Sequence, residues 1–455
     1  MRFRQRHVLI GLLFFHSVNT IMDRVAISSA KSSIIRDLGL TDQMMGWVFG
    51  IFALGYALFQ VPAGWFADRH GPRKALTWVV AAWSVFTMLT GAAVGAVSML
   101  VVRFLFGVGE AGAYPGATRA YYSWLPVKER GIGQGIMFSG ARLGAAVSLF
   151  TMPLLIGFVG WRWTFVLNGL VGVAWAVAWL GWFRDDPKAN PRVTPEELEE
   201  IAADRGQEFV ASTRASFSQV FTSLNMVLAM FQYFAHNVTF FICYTWLLPY
   251  LESQWGYQAI FYAPLPLLAG ALANWVSGGL VTRLYRDGHH VGSRRVPAII
   301  GYVLATLGLV LATQTGSVVW FIVFFSVAIF GIDMILSPSW AFCMDIGGDK
   351  SGAVSASMNM VGNIGAALSA ILFPFFAAHI TLPYFAESTG TGNSFFVFAA
   401  VLNVGAVVCW LFMDPNREAN PNLSPLAVKV RMVLMLAALV ALAGGSLVYK
   451  TMFLD

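Results

Sequence analysis

Twelve apolar runs, each close to the length of a bilayer crossing, divide this sequence between residues 8 and 413. A hydrocarbon core of ~30 Å takes about 20 helical residues. The runs fall at 8–30, 44–66, 75–95, 97–119, 132–156 and 163–183, then at 224–250, 259–283, 296–315, 318–342, 352–376 and 394–413. No stretch alternates apolar and polar residues as a strand does. The expected class is an all-α membrane protein with 12 transmembrane helices. Composition agrees, with 11% charged residues against about 25% in soluble proteins.

The runs predict domains at 1–183 (six helices), 184–222 (a polar linker), 223–415 (six helices) and 416–455 (an extension). The extension holds a thirteenth apolar run at 431–449, read as an extra spanning helix, with a surface-lying helix as the alternative. Arg2, Arg4 and Arg6 before Val8–Phe15 look like the start of a signal peptide. The apolar run continues beyond that length and carries Asp23-Arg24, so a retained first helix is expected. With the amino terminus inside, cytoplasmic segments hold 21 of the 29 Lys and Arg residues, the opposite side 4, and the spans 4. That asymmetry fixes the expected orientation in the cell (inner) membrane. It also explains the net charge of +6 without nucleic acid. Cys243, Cys343 and Cys409 all lie in apolar runs, so neither a disulfide framework nor a metal site is expected. In the linker, Thr194-Pro195-Glu196-Glu197 starts a helix, read as solvated and without chemistry.

Charges inside the spans carry the functional signal. Each costs about 2.5–3.5 kcal/mol at bilayer depth. Span 4 holds Arg103 and Glu110, seven residues apart and so on one helix face. Around them Gly107-Val-Gly109-Glu-Ala-Gly112 matches GxGxxG, but no strand precedes it, so helix packing is the reading and not a nucleotide site. Helical rise puts Asp23 ~6 Å and Arg103 ~7 Å to the outer side of the midplane, Glu110 ~3 Å to the inner side, and Arg142 near the middle. This pairs Arg103 with Asp23 and Glu110 with Arg142. Three arginines (Arg24, Arg103, Arg142) meet two carboxylates (Asp23, Glu110), and the surplus guanidinium suits a substrate carboxylate. Protonating a carboxylate frees an arginine for an anion. Static ion pairs between helices are the alternative.

In the second half, Asp333 lies near mid-depth in span 10, read as facing span 5 or a polar amide, with a helix-packing Asp as the alternative, and Asn359 and Asn363 share a face of span 11, to bind substrate or to bridge helices. His236, Asn237, Tyr244 and Thr245 on span 7, and His16 and Asn19 on span 1, add further donors. His236 reads as a core histidine rather than a proton carrier.

After span 2 the chain reads Gly64-Trp-Phe-Ala-Asp68-Arg69-His-Gly71-Pro-Arg73-Lys74. This resembles the GxxxDRxGxRK signature of the major facilitator superfamily. Its second-half copy, Gly278-Gly-Leu-Val-Thr282-Arg283, has Thr where Asp is expected. Asp23-Arg24, Arg103-x6-Glu110-Ala, Tyr114-Pro115, Trp124-x-Pro126-x2-Glu129-Arg130-Gly131, Ser139-Gly-Ala-Arg142-Leu-Gly144 and Asn359-x2-Gly362-Asn363 resemble the anion:cation symporter family within it. The resemblance covers about residues 5–415 and includes bacterial galactonate, hexuronate and glucarate transporters and, more distantly, sialin and vesicular glutamate carriers.

The resemblance implies the major facilitator fold, two six-helix bundles working by alternating access. It implies Asp23 and Glu110 as proton carriers. Arg24, Arg103, Arg142, Tyr244, Asn359 and Asn363 are the expected substrate contacts, and Gly64, Asp68, Arg69, Gly71 and Arg73 the conformational latch. Two departures are visible. Span 1 lacks an aromatic ring just before Asp23-Arg24, and Arg142 stands where Gln or Tyr is common in the family, hinting at a more acidic substrate or a pair with Glu110. The expected function is proton-coupled uptake of an organic anion, most simply a sugar acid (hexuronate, aldonate or aldarate). Export or facilitated passage of another carboxylate or a drug-like metabolite is the alternative, and a non-transporting membrane sensor or an enzyme is remote. The expected partners are a small organic anion, protons and the lipid bilayer, with no cofactor, no nucleic acid and a monomeric state.

Overall fold

The structure, a computed structural model, describes residues 4–203, 216–380, 393–417, 424 and 426–434. Among these residues all regular structure is helical. The first three predicted spans are α1 (Gln5–Leu38), α2 (Asp42–His70) and α3 (Pro72–Gly91). The fourth is two helices, α4 (Ala96–Glu110) and α5 (Ala113–Trp124). The fifth and sixth form α6 (Arg130–Trp182), which turns at Gly160 with φ 78° and ψ 161°. Two short helices follow, α7 (Pro195–Ala203) and α8 (Phe217–Phe221). The seventh span is α9 (Leu224–Phe241) and α10 (Leu247–Trp255), joined by a π-helical turn at Ile242–Trp246. Then come α11 (Pro264–Arg286), α12 (His290–Ala312), α13 (Val318–Asp333), α14 (Leu336–Gly347), α15 (Ser351–His379) and α16 (Asn393–Phe412).

Among the described residues eight helical stretches are long and apolar enough to cross a membrane. Two of them, Val127–Trp182 and Val318–Ala377, hold 56 and 60 residues, each enough for two crossings. Residues 426–434 are helical, and the rest of the predicted thirteenth span lies outside the described residues.

The backbone divides into two compact units. Unit 1 is Met1–Glu208 with Gly347–Ala356, and unit 2 is Phe209–Ile346 with Ser357–Asp455. In unit 1, α1 and α3 pack along α6 while α2 packs along α4. In unit 2, α12 packs against α13 and α16, and α11 against α13. Lipid supplies no hydrophobic drive between helices, so close approach and hydrogen bonds hold them. The GxGxxG stretch is packing, as expected. A Cβ on Gly107 would come within 2.3 Å of the Phe52 carbonyl oxygen, and one on Gly112 within 2.8 Å of Val79. In unit 2, Gln232 serves as a polar hub. Its side-chain oxygen accepts from Tyr302 (2.9 Å), Trp410 (3.3 Å) and Ser339 (3.4 Å), tying three helices to α9.

Two spans break at a proline. Pro115 has no N–H to give the Ala111 carbonyl, and α4 stops at Glu110. Pro338 likewise has none for the Met334 carbonyl, and α13 stops at Asp333. The Ser277 hydroxyl donates to the Met334 carbonyl instead.

The linker helix departs from expectation. Rather than being simply solvated, α7 buries Glu197, whose carboxylate accepts from the backbone N–H groups of Gln5 (3.0 Å) and Arg6 (2.9 Å). It therefore caps the free N–H groups at the start of α1. The Arg6 guanidinium pairs with Glu129 (2.7 Å) and Glu200 (2.8 Å) beside it.

Candidate functional site

Span-embedded charges converge in unit 1. Asp23 and Arg24 come from α1, Arg103 and Glu110 from α4. Asp23, Arg103 and Glu110 are 1%, 2% and 0% exposed. Arg24 Nε donates to both Glu110 oxygens at 3.1 Å. Depth along the helices had assigned Glu110 to Arg142; the structure gives it Arg24. The reason is side-chain length, since an arginine head lies several ångströms from its own Cα and Cα depth does not fix where it sits. Arg103 is near enough to act on the charges of both Asp23 and Glu110, rather than on Asp23 alone as depth along the helices assigns.

The rings missing from span 1 come from its neighbours. The Arg24 guanidinium lies 4.6 Å from the Tyr56 ring and 5.3 Å from Phe52. The Arg103 guanidinium lies 4.4 Å from Phe106 and 5.1 Å from Phe52. Aromatic faces attract desolvated guanidinium groups by about 2 kcal/mol or more. Tyr56 also hydrogen-bonds Arg24, while Arg24 Nη2 and Arg103 Nε are buried without a hydrogen-bond partner among the described residues. Tyr114 stands beside Arg24 and meets Ser17 Oγ at 3.2 Å. Sequence reasoning named none of Phe52, Tyr56, Phe106 or Tyr114 as site residues, because in an apolar span a ring that clamps a charge looks like one that faces lipid.

Arg142 is buried on α6 between Gly140 and Gly144, which pack on Phe14 and Val18 of α1. In unit 2, Asn359 is 8% exposed on α15, and Asn363 Nδ2 donates back to the Asn359 carbonyl at 2.8 Å. One donor of Asn363 is thus spent on its own helix. Gly362 between them faces α9, where an added Cβ would meet Asn237 Nδ2 at 2.4 Å and the Tyr233 ring at 2.5 Å. The Tyr233 ring stacks on His236 at 4.9 Å, and its hydroxyl accepts from Trp340 Nε1 at 3.0 Å. The structure thus brings Gly362, between Asn359 and Asn363, against Tyr233 and Asn237 of α9. Asp333 is buried beside Gly270, where a Cβ would fall 2.0 Å from its Oδ2. The Tyr244 side chain lies outside what the structure describes.

The signature after span 2 builds a second constellation in unit 1. Asp68 accepts from the N–H groups of Gly352 (2.9 Å) and Ala353 (2.7 Å), the first turn of α15. Arg119 stands 3.7 Å from Asp68 and 3.5 Å from Asp349. A Cβ on Gly64 would lie 2.5 Å from the Gly352 carbonyl oxygen, so only glycine allows this approach. Gly71, at φ 81°, turns the chain so that the Arg73 N–H donates to Asp185 at 2.8 Å. The Arg73 guanidinium donates to the Leu180 carbonyl, and Arg69 lies over the Trp65 ring. In unit 2, Thr282 at the degraded copy is buried with its hydroxyl unpartnered among the described residues. A buried ion pair nearby in sequence, Arg294 to Asp345 at 2.7 Å, was not foreseen.

Long apolar helices, charges buried at span depth and a glycine-dependent acidic turn after span 2 are features of a multi-pass membrane protein. The Major Facilitator Superfamily model matches residues 12–370, and the chain belongs to that family. A probable sulfoacetate transporter, SauU, of Cupriavidus necator is 33% identical over 420 residues, covering 91% of this chain and 95% of that one. A D-galactonate transporter of Escherichia coli is 28% identical, covering 89% and 94%. A probable galactarate/D-glucarate transporter, GudP, of Bacillus subtilis is 28% identical, covering 90% and 91%. Among solved structures, the proton:xylose symporter XylE superposes with a TM-score of 0.68 at 14% identity, covering 89% of this chain and 95% of that one. Human organic anion transporter MFSD10 gives 0.65 at 11%, covering 88% and 98%. Both support the fold.

Proposed function

We propose that the protein is a proton-coupled symporter that takes up a small organic anion, most simply a sugar acid, by alternating access with its amino terminus in the cytoplasm. One observation carries the reading: Glu110 is wholly buried on Arg24, with Asp23 and Arg103 buried on the same two helices. A substrate carboxylate and Glu110 compete for the same guanidinium. When Glu110 takes a proton, Arg24 is released to the anion; when the anion leaves, the ion pair reforms. Proton and anion therefore travel together. Asp23 is the second proton carrier. Arg142, Asn359 and Asn363 orient the remainder of the substrate. Asp68, with Gly64, Arg69, Gly71 and Arg73, forms the latch that holds one conformation.

A second substrate class, a short carboxylate bearing a sulfonate, is favoured by the 33% identity to the sulfoacetate transporter. It also suits two ring-clamped guanidinium groups, Arg24 and Arg103, meeting two anionic ends. The test is uptake into proteoliposomes of purified protein. Uptake is expected to rise with an inward proton gradient and to lose that dependence in Glu110→Gln, while substrate exchange survives. Gradient-driven uptake persisting in Glu110→Gln removes that residue from coupling. Counterflow screened over aldonates, uronates, aldarates and sulfonated carboxylates separates the two substrate classes, and competition by lipophilic cations instead of carboxylates selects the drug-export reading.

A further inference from the structure

The Arg6 side chain, at the start of α1, is buried between two acids from other elements. Its Nε stands 2.7 Å from Glu129 in the turn before α6, and its Nη2 donates to Glu200 of α7 at 2.8 Å. Arg6 and Glu129 are 4% and 9% exposed, so salt and water screen the pair little. Gln5 adds a second tie to α6, its side-chain oxygen accepting from Trp182 Nε1 at 3.4 Å. Glu129 immediately precedes the first turn of α6, yet among the described residues its carboxylate caps no N–H group of that helix. It faces the Arg6 guanidinium instead, so a charge on α1 holds the start of α6.

The next residue, Arg130, opens α6 and is 1% exposed. Its guanidinium lies 4.7 Å from the Tyr122 ring of α5, and the Arg119 guanidinium lies 5.2 Å from the same ring. Arg119 in turn stands 3.7 Å from Asp68 and 3.5 Å from Asp349. Asp68 accepts from the Gly352 and Ala353 N–H groups that open α15. A file of charges thus runs from Glu200 through Arg6 to Glu129 and, beyond the Tyr122 ring, through Arg119 to Asp68. Two guanidinium groups on one ring repel each other and share its attraction. Where Arg130 sits therefore biases where Arg119 sits.

We propose that Arg6 is a positioning residue for the latch: by holding Glu129 it fixes Arg130 on Tyr122, and across that ring it keeps Arg119 on Asp68. The linker helix α7 enters through Glu200, so the docking of the linker bears on the latch. The role in transport rests on the reading of Asp68 as a latch. Without the Arg6 guanidinium, Glu129 is a buried carboxylate that has lost its counter-charge. The cation next to it in the chain is Arg130. Drawn toward Glu129, Arg130 gives up the ring, Arg119 takes the whole of it, and Asp68 loses its partner.

Hydrogen exchange with mass spectrometry, on the full-length protein in lipid nanodiscs, reads the Gly352 and Ala353 amides that Asp68 holds. Arg6→Gln is expected to raise exchange in the peptide that spans them several-fold, as Asp68→Asn does. Glu197→Ala loosens α7 from the start of α1 without touching the Arg6 guanidinium, and is expected to leave that exchange unchanged. Should Arg6→Gln fail to fold, Glu200→Gln, at the more exposed end of the file, is expected to raise the same exchange. Unchanged exchange in the folded variant overturns the positioning role. An equal rise in Glu197→Ala overturns it too, and leaves α7 a plain brace. Counterflow turnover in proteoliposomes reads the consequence. Arg6→Gln is expected to slow turnover several-fold, and the double variant Arg6→Gln, Asp68→Asn no further than the slower single one, because coupled sites are not additive. Single effects that multiply in the double variant overturn the coupling. Raised exchange with wild-type turnover in both single variants overturns the latch reading instead, and leaves Arg6 positioning Asp68.

Discussion

Arg24 donates one nitrogen, Nε, to both oxygens of Glu110 and keeps Nη2 unpartnered. A guanidinium can do this because its donors form a rigid planar fork; an ammonium offers a single point. Arg24→Lys keeps the charge but loses the fork and the ring stack on Tyr56. The expected result is an approximately tenfold higher KM for the anion, about 1.4 kcal/mol, in counterflow measured against substrate concentration. An unchanged KM assigns the anion to another group. That these charges matter was legible in the sequence, since an apolar run that keeps Asp23, Arg24, Arg103 and Glu110 bears a cost that lipid-facing residues do not. Which acid meets which base was not legible, because a long flexible side chain decouples head-group position from helix register. The aromatic clamps were hidden for a different reason. Phe52 and Phe106 satisfy the hydrophobic pattern of their helices whether they face lipid or a guanidinium.

At the scale of elements, two helix starts are capped by carboxylates from far along the chain. Glu197 caps α1 from 191 residues away, and Asp68 caps α15 from 284. Local patterns such as Thr194 at the start of α7 are visible in sequence, because donor and acceptor lie three residues apart. A cap across hundreds of residues leaves no local spacing to read, so α7 looked merely solvated. The two caps predict different outcomes. Glu197→Ala leaves the α1 N–H groups of Gln5 and Arg6 without their acceptor and is expected to cost about 1 kcal/mol. The measurement is a melting temperature lowered by a few degrees, with transport per folded molecule unchanged. Asp68→Asn retains a weaker acceptor but loses the charge beside Arg119 and the α15 dipole. Its expected signature is slower turnover, several-fold, with little change in melting temperature. If Asp68→Asn instead melts early and transports normally, the turn is only a structural clasp.

Across the whole molecule, the two halves share one device. Glu110 ends α4 with Pro115 five residues on, and Asp333 ends α13 with Pro338 five residues on. Both carboxylates are 0% exposed. The spacing was present in the sequence as printed, but its meaning depends on the helix break, which the apolar runs 97–119 and 318–342 conceal. What surrounds each acid differs. Beside Glu110 the space holds Arg24 and, against Arg24, the Tyr56 ring; beside Asp333, α11 offers Gly270. On the proposed reading the first half exchanges its acid between a proton and an arginine, whereas Asp333 in the second half packs closely against Gly270. That contrast separates the variants. Gly270→Ala places a methyl group 2.0 Å from Asp333 Oδ2 and must displace the carboxylate. Because the clash is with a side-chain end, the helix itself need not move, and the protein is expected to remain folded in a melting assay. Asp333→Asn preserves the shape and removes the charge. If that packing matters, Gly270→Ala lowers counterflow exchange about tenfold, whereas Asp333→Asn lowers it less, since volume-conserving changes are tolerated best. If charge at this position matters, Asp333→Asn equals or exceeds Gly270→Ala. Glu110→Gln differs from both by sparing exchange while abolishing gradient-driven uptake. Comparing exchange and driven uptake across these three variants tells whether the repeated acid serves one task in both halves or two.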